Sequence, residues 1–238
     1  MTKNTTTATP RKPATKRASK RVAKPEPRPI GIHVRELERA IARVKPFAHA
    51  DELLPVINSI IFDYRDGVLS AFATDRFTMG CNIVEHTADA DNLPENFTVV
   101  VRLGELPLLL AAVKRGSAGG HAVIAHRDGQ IVTDGVAVGD PTLVEAVPKW
   151  RNILAGAVRE AGAPEINSAI SMNPVYLRRF AQIKPTPTMS VSTAGKPIVV
   201  TSVNFIGLLM PVRDVDGPDR LLERLGIELP ASSGEAAA

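Results

Sequence analysis

The stretch Leu54-Pro55-Val56-Ile57-Asn58-Ser59-Ile60-Ile61-Phe62-Asp63-Tyr64-Arg65-Asp66-Gly67-Val68-Leu69-Ser70-Ala71-Phe72-Ala73-Thr74-Asp75 reads as two strands around a tight turn. Asp66-Gly67 sits between two runs rich in β-branched and aromatic residues, a strong hairpin signal. Apolar residues dominate both arms, which predicts at least one buried face. A third strand is expected over residues 77–85.

Upstream, residues 33–45 read as a helix. Val34, Leu37, Ile41 and Val44 form a stripe of period 3.6, Arg35, Arg39, Arg43 and Lys45 fall away from it, and Pro46 ends it. Only a rudimentary strand is expected before it, around residues 29–32. Downstream, residues 86–96 read as a polar loop. The order then restarts: a strand over 97–101, a helix over 103–115 with Leu106, Leu109, Leu110 and Val113 on one side, and a glycine-rich stop at 116–120. Strands are expected at 121–125, 130–134 and 136–144, with a turn at Asp128-Gly129. An Ala/Gly-rich link follows the segment 148–154. A third cycle has a strand over 166–171, a helix over 175–184 with Asn173 as N-cap and Pro174 at its first position, and strands over 188–193, 198–203 and 207–212.

The body is therefore three copies of a strand, a helix and three strands, an α+β arrangement in which helices lie on one face of antiparallel sheets. Each helix carries basic residues away from its apolar stripe: Arg35, Arg39 and Arg43, then Arg102, Lys114 and Arg115, then Arg178, Arg179 and Lys184. Such helices suit one polyanion, and these nine residues are its candidate contacts on the body.

The net charge of +4 over 238 residues conceals a split. Residues 1–28 hold nine basic side chains against Glu26 alone, a net of +8, while the rest carries 20 basic and 24 acidic, a net of −4. Residues 1–29 have almost no large apolar side chain, which predicts a disordered arm. Lys12, Lys16, Arg17, Lys20 and Arg21 would let it contact nucleic acid by displacing counterions, and a purely solubilising leader is the other reading. Residues 30–150 form two repeats, 151–214 a third, and 215–238 a flexible tail. With a single cysteine, Cys81, no internal disulfide is possible. No run of about 20 apolar residues suggests a membrane span. A reducing, cytoplasmic setting without membrane partners is expected.

Catalytic patterns are missing from the sequence: no G-x-S-x-G, H-E-x-x-H or phosphate-binding loop. His33, His49, His86, His121 and His126 lack metal-ligand spacing. Asp63, Asp66 and Asp75 read as turn residues, and Cys81 as a small core residue. Neither an enzyme nor a cofactor is expected. Three segments are harder to place as core: Phe77 and Met79 at a strand start, the connector 148–151 with the only tryptophan, and Leu208-Leu209-Met210-Pro211, where the proline implies an edge strand. Together they would make an apolar groove for a peptide.

Over residues 30–213 the chain resembles the β sliding clamp of bacterial replicative DNA polymerase. Four motifs carry the resemblance in the family's order. The run from Ile57 through Thr74 follows its second-domain strand pattern. Val147-Pro148-Lys149-Trp150-Arg151-Asn152-Ile153-Leu154 is similar to its connector. Met172-Asn173-Pro174-Val175-Tyr176-Leu177 resembles the start of its last helix, and Leu208-Leu209-Met210-Pro211-Val212-Arg213 its C-terminal strand. The resemblance implies a DNA-clamp fold, rings around duplex DNA lined by basic helices, and a pocket for short motifs of polymerases, the clamp loader and repair proteins. It assigns one wall to Ile57, Thr74, Arg76, Phe77, Thr78 and Met79. A second falls to Pro148, Asn152 and Ile153, and a third to Pro197, Leu208, Leu209, Met210 and Pro211. Arg76-Phe77 replaces the family's usual Gly-His.

A family subunit has six repeats and this chain three, so a ring of twelve would take four chains. The expected function is a shortened processivity factor that contacts duplex DNA and replication proteins as a homo-oligomer. The alternatives are a clamp mimic or regulator that keeps the pocket without a ring, and a DNA-binding regulator acting through the basic arm.

Overall fold

The computed structural model describes residues 28–88, 93–161, 170–191 and 195–212. The arm residues before Arg28, the tail beyond Val212, and expected strand residues 166–169 and 192–193 lie outside them. In chain order the elements are β1 (Pro29–His33), α1 (Val34–Val44), β2 (Ser59–Arg65), β3 (Val68–Thr74), β4 (Thr78–Val84) and β5 (His86–Thr87). Then come β6 (Phe97–Arg102), α2 (Leu106–Arg115), β7 (His121–Arg127), β8 (Gln130–Thr133), β9 (Val136–Val138) and α3 (Trp150–Ala161). The last are α4 (Pro174–Leu177), β10 (Thr188–Ser190), β11 (Ile198–Ser202) and β12 (Phe205–Leu209). The fold is α+β with two antiparallel sheets, ordered β5-β1-β7-β8-β9 and β10-β11-β12-β4-β3-β2-β6.

The first two repeats complete each other. β1 of the first pairs with β7 of the second, and β6 of the second pairs with β2 of the first. Asp66-Gly67 and Asp128-Gly129 turn their hairpins with positive φ at both positions (52° and 81°, 53° and 79°), as a type I′ turn requires. The third repeat joins the same sheet: β12 lies along β4, so one sheet runs through all three repeats, and Phe180 packs on Phe47 beneath it.

Both faces of this sheet are buried, and the period-2 alternation sorts its residues. Ile60, Phe62, Tyr64, Leu69, Ala71, Val99 and Val200 face the core shared with α1, α2 and the five-stranded sheet. Ile61, Phe72, Met79, Cys81, Val100, Val199 and Leu208 face the other way and are covered by Trp150 and Ala157 of α3.

Several expectations are corrected. Residues 54–58 are turn, not strand: the Asp51 carboxylate accepts from Leu53 N, Asn58 N donates to Leu54 O, and Pro55 has no N–H for a ladder. The strand before α1 is a full five residues, because β7 pairs along all of it. Residues 86–87, expected in a loop, pair with β1. The strand expected over 136–144 stops at Val138, since Asp140 caps a 3₁₀ turn over Pro141–Ala146. The expected link after residue 154 is α3, whose alanines, arginine and glutamate favour helix. The helix expected over 175–184 gives way to 3₁₀ at Arg178–Phe180, which suits the i, i+3 spacing of buried Phe180 and Ile183. Asp63 is no turn residue; it is buried in mid-strand. Pro211 marks no edge, because β12 lies between β11 and β4 and ends before it.

Candidate functional site: an apolar pocket at the seam of the third repeat

Where β4 meets β12, Met79 and Leu208 are register partners and form the floor of a pocket of about 510 Å³. Its walls come from three segments. Leu53, Leu54, Pro55, Val56 and Ile57 supply the turn before β2. Thr74, Arg76, Phe77 and Thr78 supply the β3–β4 connection. Ala146, Pro148 and Ile153 belong to the covering strap, with Pro197 and Met210 at the ends of the third repeat's strands. Leu53, Phe77 and Ile153 are exposed apolar side chains at its rim.

Each wall is fixed by polar contacts outside the pocket. Asp75 is buried; its Oδ1 accepts from Phe77 N at 3.0 Å, Thr78 N at 2.7 Å and Thr78 Oγ1 at 2.9 Å. Its Oδ2 takes a charge-assisted bond from Arg179 at 2.6 Å, which ties the connection to the end of α4. Arg179 also lies over Tyr176, and Phe77 stacks on the same ring at 5.6 Å. Arg76 has φ 81°, in the left-handed region, at the position where the family pattern has glycine.

On the other wall, Trp150 stacks on Phe72 at 4.9 Å and carries the Arg151 guanidinium over its own ring. Arg151 Nε donates to buried Asp63 Oδ2 at 2.9 Å, and a terminal nitrogen lies 2.7 Å from the same oxygen, too poorly aligned for a second hydrogen bond. Thr98 Oγ1 donates to Asp63 Oδ1. This buried pairing anchors the first turn of α3 and so places Ile153. Nearby, burial pushes the Cys81 thiol up to about 12.

Of the expected pocket residues, Ile57, Thr74, Arg76, Phe77, Thr78, Met79, Pro148, Ile153, Pro197, Leu208 and Met210 line the cavity. Asn152, Leu209 and Pro211 do not. Leu209 alternates to the opposite face and is wholly buried in the helix-side core. Asn152 is an exposed residue of α3 outside the lining, and Pro211 lies beyond the end of β12. Leu53, Leu54, Pro55, Val56 and Ala146 were missed; the first four are a consecutive apolar run, of which residues 54–56 read as strand in the sequence. The lining contains no histidine, cysteine or carboxylate, and Arg76 is its one charged residue. Such a lining has the chemistry to bury apolar side chains.

The candidate DNA contacts fare differently. Arg43 donates to Asn82 Oδ1 at 3.0 Å, to Val203 O at 2.9 Å and to Lys184 O, bolting α1 to the third repeat. Burial is the main cause of its lowered pKa. Arg43 and Arg179 are thus committed to internal contacts. Arg39 pairs with Glu36, Arg102 with Asp140, Lys114 with Glu38 and Arg115 with Asp134, all at the surface. Asp140 is held below the usual carboxylate range, chiefly by the Thr142 hydroxyl and also by Arg102. Arg35, Arg178 and Lys184 have no ion-pair partner among the described residues. Lys12, Lys16, Arg17, Lys20 and Arg21 lie outside them. Among the described residues no group of three or more His, Cys, Asp or Glu could hold a metal, and no helix is long and apolar enough to cross a membrane.

No family model matches the chain, and no curated protein does. Solved structures do. The DNA polymerase III β subunit of Thermotoga maritima superposes with a TM-score of 0.55 at 12% identity, covering 82% of this chain and 69% of that one. That of Borrelia burgdorferi, in complex with a natural product, gives 0.52 at 14%, covering 78% and 64%. The Pseudomonas aeruginosa sliding clamp bound to griselimycin gives 0.55 at 13%, covering 85% and 68%. The fold is that of the sliding clamps, and the chain spans about two thirds of their length.

Proposed function

We propose that this protein is a shortened, clamp-like docking factor of DNA replication. Its seam pocket takes short linear motifs of replication proteins: the replicative polymerase, the clamp loader or others carrying clamp-binding segments. The apolar pocket at the seam, with Arg76 as its one charged residue, carries this reading. A segment with two or three apolar side chains would fill it, and an acidic residue beside them would meet Arg76. That the clamp fold recurs among DNA polymerase β subunits, one of them bound to griselimycin, supports the same reading.

Fluorescence anisotropy with a labelled clamp-binding peptide of a bacterial replicative polymerase tests it. Binding in roughly the micromolar range is expected, with Ile153→Asp weakening it at least about tenfold. No binding at about 1 mM peptide would rule the reading out.

Duplex DNA is the second partner. The paired surface residues Arg39, Arg102, Lys114 and Arg115 could exchange carboxylate for phosphate at small cost, since exposed pairs contribute little. Together with Arg35, Arg178, Lys184 and the basic arm they make a salt-sensitive DNA surface, and as a homo-oligomer the protein would act as a processivity factor. The internal commitment of Arg43 and Arg179 favours the second reading, a factor that docks replication proteins without a ring. DNA affinity that is unchanged between 50 and 200 mM salt, on the order of the range over which phosphate contacts are screened, would exclude a phosphate-binding face.

A further inference from the structure

The third repeat reproduces the first, but nothing among the described residues completes it. In the first repeat, Gly31, three residues before α1, pairs with Thr87, three residues after β4. In the third, Ser171, three residues before α4, pairs with Val212, three residues after β12. The match continues across the sheet. Phe62, Ala71 and Asn82 form one row of register partners, with Asn82 five residues before Thr87. Met189, Val200 and Gly207 form the corresponding row, with Gly207 five residues before Val212.

In the first repeat this row goes one strand further. Phe62 also pairs with Val99 of the second repeat's leading strand, four residues before the helical turn that opens α2. Reciprocally, Ile30, four residues before α1, pairs with Ile124. All four side chains are buried. In the third repeat the edge of β10 has no neighbour among the described residues. Met189, on the same face as buried Val200, is 41% exposed, and Val175 on α4 is 65% exposed. Eight residues separate Ala161 from Ile170, too few for a sister repeat of a strand, a helix and three strands.

We infer that the sister repeat is the third repeat of a second copy of this chain. A two-fold axis would lay Ile170 and Ser171, just before α4, of each copy along β10 of the other, as β1 lies along β7 and β6 along β2. One surface thereby supplies both elements that each half lacks, the self-complementarity of an isologous dimer. The register follows from the first two repeats. Ile170, four residues before α4, takes the place of Val99 and faces Met189 of the other copy; Ser171 faces Thr188. The open edge of β10, an invitation to promiscuous pairing, is closed by the same step.

Light scattering on the full chain should give twice 25.5 kDa, or a multiple of it, and Met189→Asp should reduce the mass to one chain with an unchanged circular dichroism spectrum. A second measurement fixes the register. Ser171→Cys and Thr188→Cys variants, oxidised as a mixture, should yield a disulfide-linked pair, because residues opposite each other in antiparallel strands lie about 4.5–5.5 Å apart at Cα, within disulfide reach. Neither variant alone should do so, and the native Cys81 is buried. A single-chain mass at every concentration overturns the inference. So does an assembly of any size that forms without the cross-link and survives Met189→Asp. Neither result bears on the peptide pocket, which lies within one chain.

Discussion

The two faces of the seven-stranded sheet are buried by different means. The helix-side face is covered by two helices and a second sheet, and its buried residues are mostly aliphatic or aromatic, with Asn82 and Thr78 among them. The opposite face is covered by one strap, the 3₁₀ turn and α3, and mixes apolar residues with Asp63, Ser70, Thr98 and Cys81. Two layers of elements can interdigitate until no void remains, as close packing requires. A single strap covers only the width of its own side chains. It is anchored chiefly by Trp150 and the Asp63–Arg151 pair, and beside Ile153 the sheet end is left open as the pocket. The closed face supplies stability; the partly covered face supplies the site.

This contrast can be broken in graded steps. Phe62→Ala, on the closed face, should cost about 3–5 kcal/mol, read as a shift in the urea midpoint, because the surrounding layers cannot collapse into the cavity. A loss below about 1 kcal/mol would mean that this face is not close-packed. Cys81, on the strapped face, should react with iodoacetamide about a thousandfold more slowly in the folded than in the unfolded chain near pH 8, since burial raises its pKa to about 12. The sign follows from the neutral thiol being the favoured buried form. Its stabilising share is full below about pH 9 and is lost as the pH climbs towards 12. Rapid labelling at pH 8 would show that the strap opens.

Asp63→Ala comes next, at about 1–3 kcal/mol, because Arg151 is left half-buried without its carboxylate. Hydrogen exchange should rise in α3 and not in α1, whereas a uniform rise would place Asp63 in the general core. The smallest effect on stability belongs to Ile153→Asp, within about 0.5 kcal/mol, since the side chain is already exposed. Its peptide affinity should nonetheless fall at least about tenfold, and equal losses of stability and affinity would remove the distinction between the faces.

Period and turn chemistry made the closed face legible in the sequence. The stripes of α1 and α2, the Asp-Gly turns and the alternation of β2, β3 and β6 each follow from local residues. The pocket was legible from the residues as three apolar segments hard to place as core, and the resemblance then named its walls, by segment more accurately than by side chain. Leu209 was assigned to it although Leu208 and Met210 alternate with it, a distinction that period 2 alone could have made. Residues 53–56 were missed because their apolar run looked like a strand, while Pro55 and the Asp51 turn made it a wall. The helical nature of residues 150–161 was hidden by their alanines and glycine, which suit a linker as well as a helix. The basic residues show the opposite limit: charge on a helix face is visible in a sequence, but its partner is not. Arg43 and Arg179 look like their neighbours Arg39 and Arg178, and only long-range contacts to Val203 and Asp75 separate them.

The continuous pairing of β12 with β4 has a kinetic consequence. The walls of the pocket come from different repeats, yet five consecutive register pairs cross the seam beneath them. A hinge there would have to break a hydrogen-bonded ladder, so the proposed docking site is formed before any segment arrives. An incoming segment then bears only its own ordering entropy. Its arrival rate would be insensitive to which segment it is, and competing segments would be told apart by how long each one stays.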